Sequence, residues 1–118
     1  MSASAKVLIV EDDALIAMEM AERVGELGHA VMGPAHSLEE ADALLAQDRP
    51  DVALLDANLN GKSSVELGVK LDAMGVRIAF CTGYDAIRGL PKHLAGVLVL
   101  TKPVGDRDLK AALEKLTQ

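Results

Sequence analysis

Five short apolar runs recur along the chain, and segments with helical spacing separate them. The first, "KVLIV" (Lys6 to Val10), is a continuous apolar run rich in β-branched residues and reads as a strand buried on both faces. Ile16, Met20, Val24 and Leu27 then recur at helical spacing, and Gly28 is a natural stop. "AVMG" (Ala30 to Gly33) is a weaker strand. Ser37 and Glu40 form a capping box for a helix carrying Ala41, Leu44 and Leu45. Pro50 precedes a third strand, "DVALLD" (Asp51 to Asp56), followed by a loop containing Asn60-Gly61. Ser63 and Glu66 read as a second capping box, opening a helix with Leu67, Leu71 and Met74 on one face. "VRIAFCT" (Val76 to Thr82) is the fourth strand. Asp85 to Leu94 contains Gly89 and Pro91, so a short or irregular helix is expected there. "GVLVL" (Gly96 to Leu100) is the fifth strand. Leu109, Ala112, Leu113 and Leu116 mark a final helix with Asp106 and Asp108 in its first turn. Such alternation predicts an α/β fold: a parallel sheet with helices on both faces and right-handed crossovers.

At 118 residues the chain reads as one domain, residues 1–118, with no linker or repeat dividing it. Half of the residues are hydrophobic, yet there is one Phe, one Tyr and no Trp, so the core is expected to be aliphatic. The Met residues at 18, 20, 32 and 74 and Cys81 fit as core filler. A net charge of −6 argues against non-specific binding to nucleic acid or an anionic membrane. The single cysteine excludes an intrachain disulfide and suits a cytoplasmic location, and no signal-like or membrane-spanning run is found.

The polar residues change the picture. In such a sheet all carboxyl ends share one edge, and ligands bind there, where strand order reverses. The first strand ends on Glu11, Asp12 and Asp13, the third on Asp56, the fourth on Thr82, and the fifth on Thr101, Lys102 and Pro103. Adjacent strands lie roughly 5 Å apart, so these groups can converge. Clustered carboxylates without His or Cys make a hard, all-oxygen environment suited to Mg²⁺, which offsets their mutual repulsion. Lys102 and Thr82 could each bind a phosphoryl oxygen, leaving Asp56 as the nucleophile of an aspartyl phosphate. His29, His36 and His93 lack metal-ligand spacing and fit surface or loop roles.

Taken singly, each of these residues has an ordinary reading. The acids at 11–13 could be helix caps, Asp56 a turn residue, and Lys102 a solvated surface lysine. Together, "VEDD", "LLDANLNG", "FCTG" and "TKP" resemble the receiver domain of two-component response regulators over essentially the whole chain. The "FCTGY" stretch is similar to an F-A-T-G-x subgroup found among α-proteobacterial single-domain receivers and hybrid-kinase receiver modules. The resemblance implies a CheY-like, flavodoxin-like doubly wound sheet of five parallel strands in the order 2-1-3-4-5. It implies Asp56 as phosphoacceptor, Thr82 as switch hydroxyl and Lys102 as the family's lysine. It implies Mg²⁺ held by Glu11, Asp12, Asp56 and the Asn58 backbone carbonyl, with Glu11 acting mainly through a metal-bound water. A histidine kinase or histidine phosphotransfer protein is the implied donor. Strands four and five with the last two helices are the implied output face, and Lys102-Pro103 is an implied cis bond. Asp13 is expected to cap the first helix instead.

Three positions depart from the family pattern. Val99 stands where receivers commonly carry Tyr or Phe, Asn60 replaces a usual Pro, and Tyr84 lies two residues beyond Thr82. Tyr84 is therefore a candidate gate or signalling residue, and the loop from Thr82 to Asp85 a candidate bistable element. Two rival readings share parts of the motif set. A haloacid-dehalogenase-type phosphatase normally has a second Asp two residues past its nucleophile, where this chain has Asn58. A pseudo-receiver, a binding module that takes no phosphoryl group, is at odds with the complete acid, Thr and Lys set.

Overall fold

The computed structural model describes residues 4–83 and 87–118. Its main sheet contains β1 (Lys6–Val10), β2 (Ala30–Ala35), β3 (Val52–Asp56), β6 (Arg77–Thr82) and β7 (Leu98–Thr101), in the order β2-β1-β3-β6-β7. Every pairing in it is parallel. The helices are α1 (Ala14–Glu26), α2 (Leu38–Leu45), α3 (Val65–Ala73) and α4 (Asp106–Leu116). A two-stranded antiparallel ribbon, β4 (Asn58–Leu59) and β5 (Lys62–Ser63), lies between β3 and α3.

The strands alternate with period two, as a sheet covered on both faces requires. Val7, Ile9, Val52, Leu54, Ala79 and Cys81 pack in one core with Met20 and Val24 of α1 and Leu109 and Leu113 of α4. Leu8, Val10, Ala53, Leu55, Ile78 and Phe80 face the opposite way, toward Ala41 of α2 and Leu67 and Leu71 of α3. Among the described residues the core is aliphatic around one fully buried aromatic, Phe80. Gly68 of α3 makes room for that ring, because a Cβ there would stand 2.6 Å from Phe80 Cζ.

The structure departs from the sequence pattern in three places. The buried stripe of α1 is Ala17, Met20 and Val24, while Ile16 and Leu27 flank it and are partly exposed. Met18 is exposed and fills no core. The second capping box does not form: Ser63 belongs to β5, and Ser64 occupies the N-cap position of α3 without a side-chain cap bond. The stretch from 85 to 94 agrees with the expectation of a short or irregular helix: in its described part the only helical element is a 3₁₀ turn, Lys92–Leu94. Gly89 sits there at φ 81°, and Pro91, lacking an N–H, precedes the turn.

Candidate functional site

The topology brings the acids together. The chain turns to β2 on one side of β1 and to β3 on the other, so the crevice opens at the carboxyl ends of β1 and β3. Val10 pairs with Leu55, which places Glu11 beside Asp56. Asp56 pairs with Cys81, and Thr82 with Thr101, so Thr82 and Lys102 complete the same edge. The Lys102 N–H donates to the Thr82 carbonyl at 2.8 Å, and Lys102-Pro103 is cis. Glu11, Asp56 and Thr82 are all buried.

Lys102 Nζ bridges two carboxylates, at 2.7 Å from Glu11 Oε1 and 3.0 Å from Asp56 Oδ2. Carboxylate oxygens of Glu11, Asp12 and Asp56 lie within 4.8 Å of one another. Ionised carboxylates only accept hydrogen bonds, and Glu11 Oε2 is buried without a donor. Burial, and the hydrogen bond Glu11 can make to Asp56 only when protonated, push its pKa up to about 7, against the pull of Lys102. Burial also opposes ionisation of Asp12, but bonds from protonated Glu11 and the Asn60 N–H prevail, and its pKa falls. Burial likewise disfavours the Lys102 ammonium, yet its bonds to Glu11 and Asp56 raise its pKa. Three acids sharing one buried acceptor without a donor, with no His or Cys among them, fit a hard divalent cation such as Mg²⁺.

Local structure fixes each acid. Asp13 caps α1, its Oδ1 accepting from the Leu15 and Ile16 N–H groups at 2.9 and 3.0 Å. The Asn60 N–H donates to Asp12 Oδ2 at 2.8 Å, so the tip of the ribbon is tied to the acidic pair. Asn60 (φ 52°) and Gly61 (φ 87°) form its two-residue turn, a left-handed pair that Asn-Gly adopts readily. Asn58 is exposed, and its N–H donates to Asp56 Oδ1 at 3.2 Å.

Sequence reasoning missed two supports. Ser64 is fully buried, and its hydroxyl donates to the Asp56 backbone carbonyl at 2.6 Å. His36 Nδ1 lies 3.0 Å from the Glu11 carbonyl. The Asn-Gly pair was the one available signal of the ribbon that delivers Ser64; nothing local marked His36. Tyr84 and Asp85 lie outside the described residues. Cys81 is buried in the core as expected, and burial pushes its thiol up to about 12. Val99 is 36% exposed on β7.

Comparison with known proteins agrees with this geometry. The family model for the response regulator receiver domain matches residues 7–114. The chain is 34% identical over 116 residues to the positive alginate biosynthesis regulatory protein of Pseudomonas aeruginosa, covering 95% of this chain and 47% of that protein. The chain spans about half the length of the first curated relatives it matches. Among solved structures, SdrG from Sphingomonas melonis Fr1 superposes with a TM-score of 0.80 at 30% identity, covering 98% of each chain. A response regulator protein from Burkholderia pseudomallei, solved with a phosphorylated aspartic acid, calcium ion and citrate, superposes with a TM-score of 0.76 at 26% identity. That match covers 92% of this chain and 65% of the other. The chain belongs to the response regulator receiver domain family.

Proposed function

We propose that residues 1–118 act as one two-component receiver whose Asp56 accepts a phosphoryl group from a histidine kinase or histidine phosphotransfer protein. An Asp56 carboxylate oxygen attacks phosphorus, the O–P bond forms, and the P–N bond to the donor imidazole breaks. The carrying observation is the Lys102 ammonium, placed between Glu11 and Asp56 at 2.7 and 3.0 Å. That ammonium is positioned to donate hydrogen bonds to the transferred phosphoryl oxygens. The Thr82 hydroxyl, at the end of the neighbouring strand, is the second donor toward those oxygens. Glu11, Asp12, Asp56 and the Asn58 backbone carbonyl would hold Mg²⁺. When bound, the ion neutralises the carboxylates and the phosphoryl oxygens.

The domain is a signalling module that catalyses only its own phosphorylation and dephosphorylation. Phosphorylation adds up to about two negative charges at the sheet edge. β6, which ends on Thr82, together with β7, the Lys92–Leu94 turn and α4 forms the output surface in this reading. Val99 gives that surface a small aliphatic group in place of an aromatic switch. Among the described residues, no helix is long and apolar enough to cross a membrane.

Intact-mass measurement after incubation with acetyl phosphate and Mg²⁺ tests the reading. One phosphoryl adduct is expected on the wild-type chain and none on Asp56→Asn. Failure with both acetyl phosphate and a cognate kinase would replace it with a phosphate-independent binding module.

A further inference from the structure

α1 touches both halves of the site. Its N-terminus is capped by Asp13, directly after the acidic pair. Ten residues on, about 15 Å along the helix, Arg23 reaches across to the segment that carries Lys102. Arg23 Nη1 donates to the Val104 backbone carbonyl at 2.7 Å and to Asp106 Oδ1 at 3.0 Å. The two contacts differ in weight. Asp106 is almost fully exposed, so that ion pair contributes little. The carbonyl bond is charge-assisted and partly buried, and Val104 itself is buried against the core.

The segment Lys102–Gly105 lies between β7 and α4 and belongs to neither. On its β7 side it is held by the Lys102 N–H bond to Thr82. Arg23 holds it two residues further on, from a different element. Arg23, Lys102, Pro103 and Val104 also line one cavity of about 560 Å³, which reaches Glu11 and Asp56. A lysine ammonium on a flexible stem is aimed only as well as its backbone is fixed.

We propose that Arg23 is a positioning residue for Lys102: by anchoring the Val104 carbonyl to α1, it holds the ammonium where Glu11 and Asp56 require it. The consequence for phosphorylation rests on the function proposed above; the anchoring itself does not. Arg23 touches neither the phosphoacceptor nor a phosphoryl group, so its effect must pass through Lys102.

The test compares Arg23→Met, Arg23→Lys, Lys102→Met and the Arg23→Met/Lys102→Met double variant. The maximal rate of Asp56 phosphorylation by acetyl phosphate at saturating Mg²⁺ should fall roughly tenfold in Arg23→Met, with the KM for acetyl phosphate changed by less than about twofold. Arg23→Lys, which can still donate to the carbonyl, should recover most of the rate. In the Lys102→Met background the Arg23 change should cost less than about twofold, because there is no ammonium left to aim. A rate within about twofold of wild type in Arg23→Met, or the same roughly tenfold loss in both backgrounds, overturns the proposal.

Amide hydrogen exchange of the metal-free protein supplies a readout independent of phosphorylation. Lys102, Val104 and Gly105 amides should exchange at least about fivefold faster in Arg23→Met, with β1 and β3 unchanged. Unchanged exchange in that segment removes the anchoring claim. If the wild-type chain takes up no phosphoryl group, the assignment of Asp56 fails instead, and exchange alone decides whether Arg23 holds the loop.

Discussion

Lys102 Nζ stands 2.7 Å from Glu11 Oε1, although the residues are 91 positions apart in the chain. The same ammonium is 3.0 Å from Asp56 Oδ2, so one cation serves two buried carboxylates from neighbouring strands. Replacing Lys102 with Met leaves those carboxylates without their ammonium. Phosphorylation by acetyl phosphate should slow on the order of a hundredfold, as when a transition-state donor is removed from a closed site. A quench-flow or intact-mass time course measures this, and a loss under about threefold would show that the ammonium is dispensable.

Glu11 sets the pH dependence of the metal-free protein. Its carboxyl is raised from 4.5 to about 7 in the fold, chiefly by burial. Between those values the native state binds more protons than the unfolded chain, so stability falls as pH rises through the window and levels off above it. Glu11→Gln carries no titrating proton and keeps a donor toward Asp56 or Asp12. In chelator the variant should be more stable than wild type by about 1–2 kcal/mol at pH 8 and nearly equal to it at pH 4.5. Urea midpoints at the two pH values measure the difference, and a variant less stable at pH 8 would contradict the sign.

Ser64 holds the phosphoacceptor from behind, through its hydroxyl bond to the Asp56 carbonyl. Ser64→Ala leaves that buried carbonyl without this donor. The expected cost is about 1–2 kcal/mol in urea unfolding. An unchanged midpoint would mean that the carbonyl finds another partner at no cost.

Gly68→Ala tests the packing on the opposite face. Helix propensity alone would favour Ala by about 1 kcal/mol. The added Cβ would meet Phe80 Cζ at 2.6 Å and Ile78 Cδ1 at 3.3 Å. Overpacking of that kind costs about 1–3 kcal/mol, so the variant should melt lower than wild type, whereas a rise in Tm would show that the ring can move aside.

The fold was legible because two periodicities, of strand and of helix, alternate without ambiguity through most of the chain. The five runs that read as strands are the five strands of the main sheet, and Lys6–Val10 agrees at both ends. Glu11, Asp12, Asp56, Thr82 and Lys102 were legible because each terminates such a run, and a parallel sheet gathers those ends. The ribbon Asn58–Ser63 was not, since two-residue strands carry too few side chains to show alternation. The sequence pattern assigns the cap of α3 to Ser63, which belongs to β5, and Ser64 holds the N-cap position instead. A Ser before a helix usually caps it, but here the hydroxyl is taken by Asp56. Arg23 reads locally as an exposed-face residue of α1, and only the tertiary approach of Val104 assigns it a contact.

The central claim is that Asp56 becomes an acyl phosphate. Borohydride reduction of the protein treated with acetyl phosphate and Mg²⁺, followed by peptide mapping, reads the modified position directly, because an aspartyl phosphate is reduced to homoserine. The account predicts homoserine at position 56 alone, dependent on both reagents. Homoserine at another carboxylate, or at none while Mg²⁺ and donor are saturating, would contradict it.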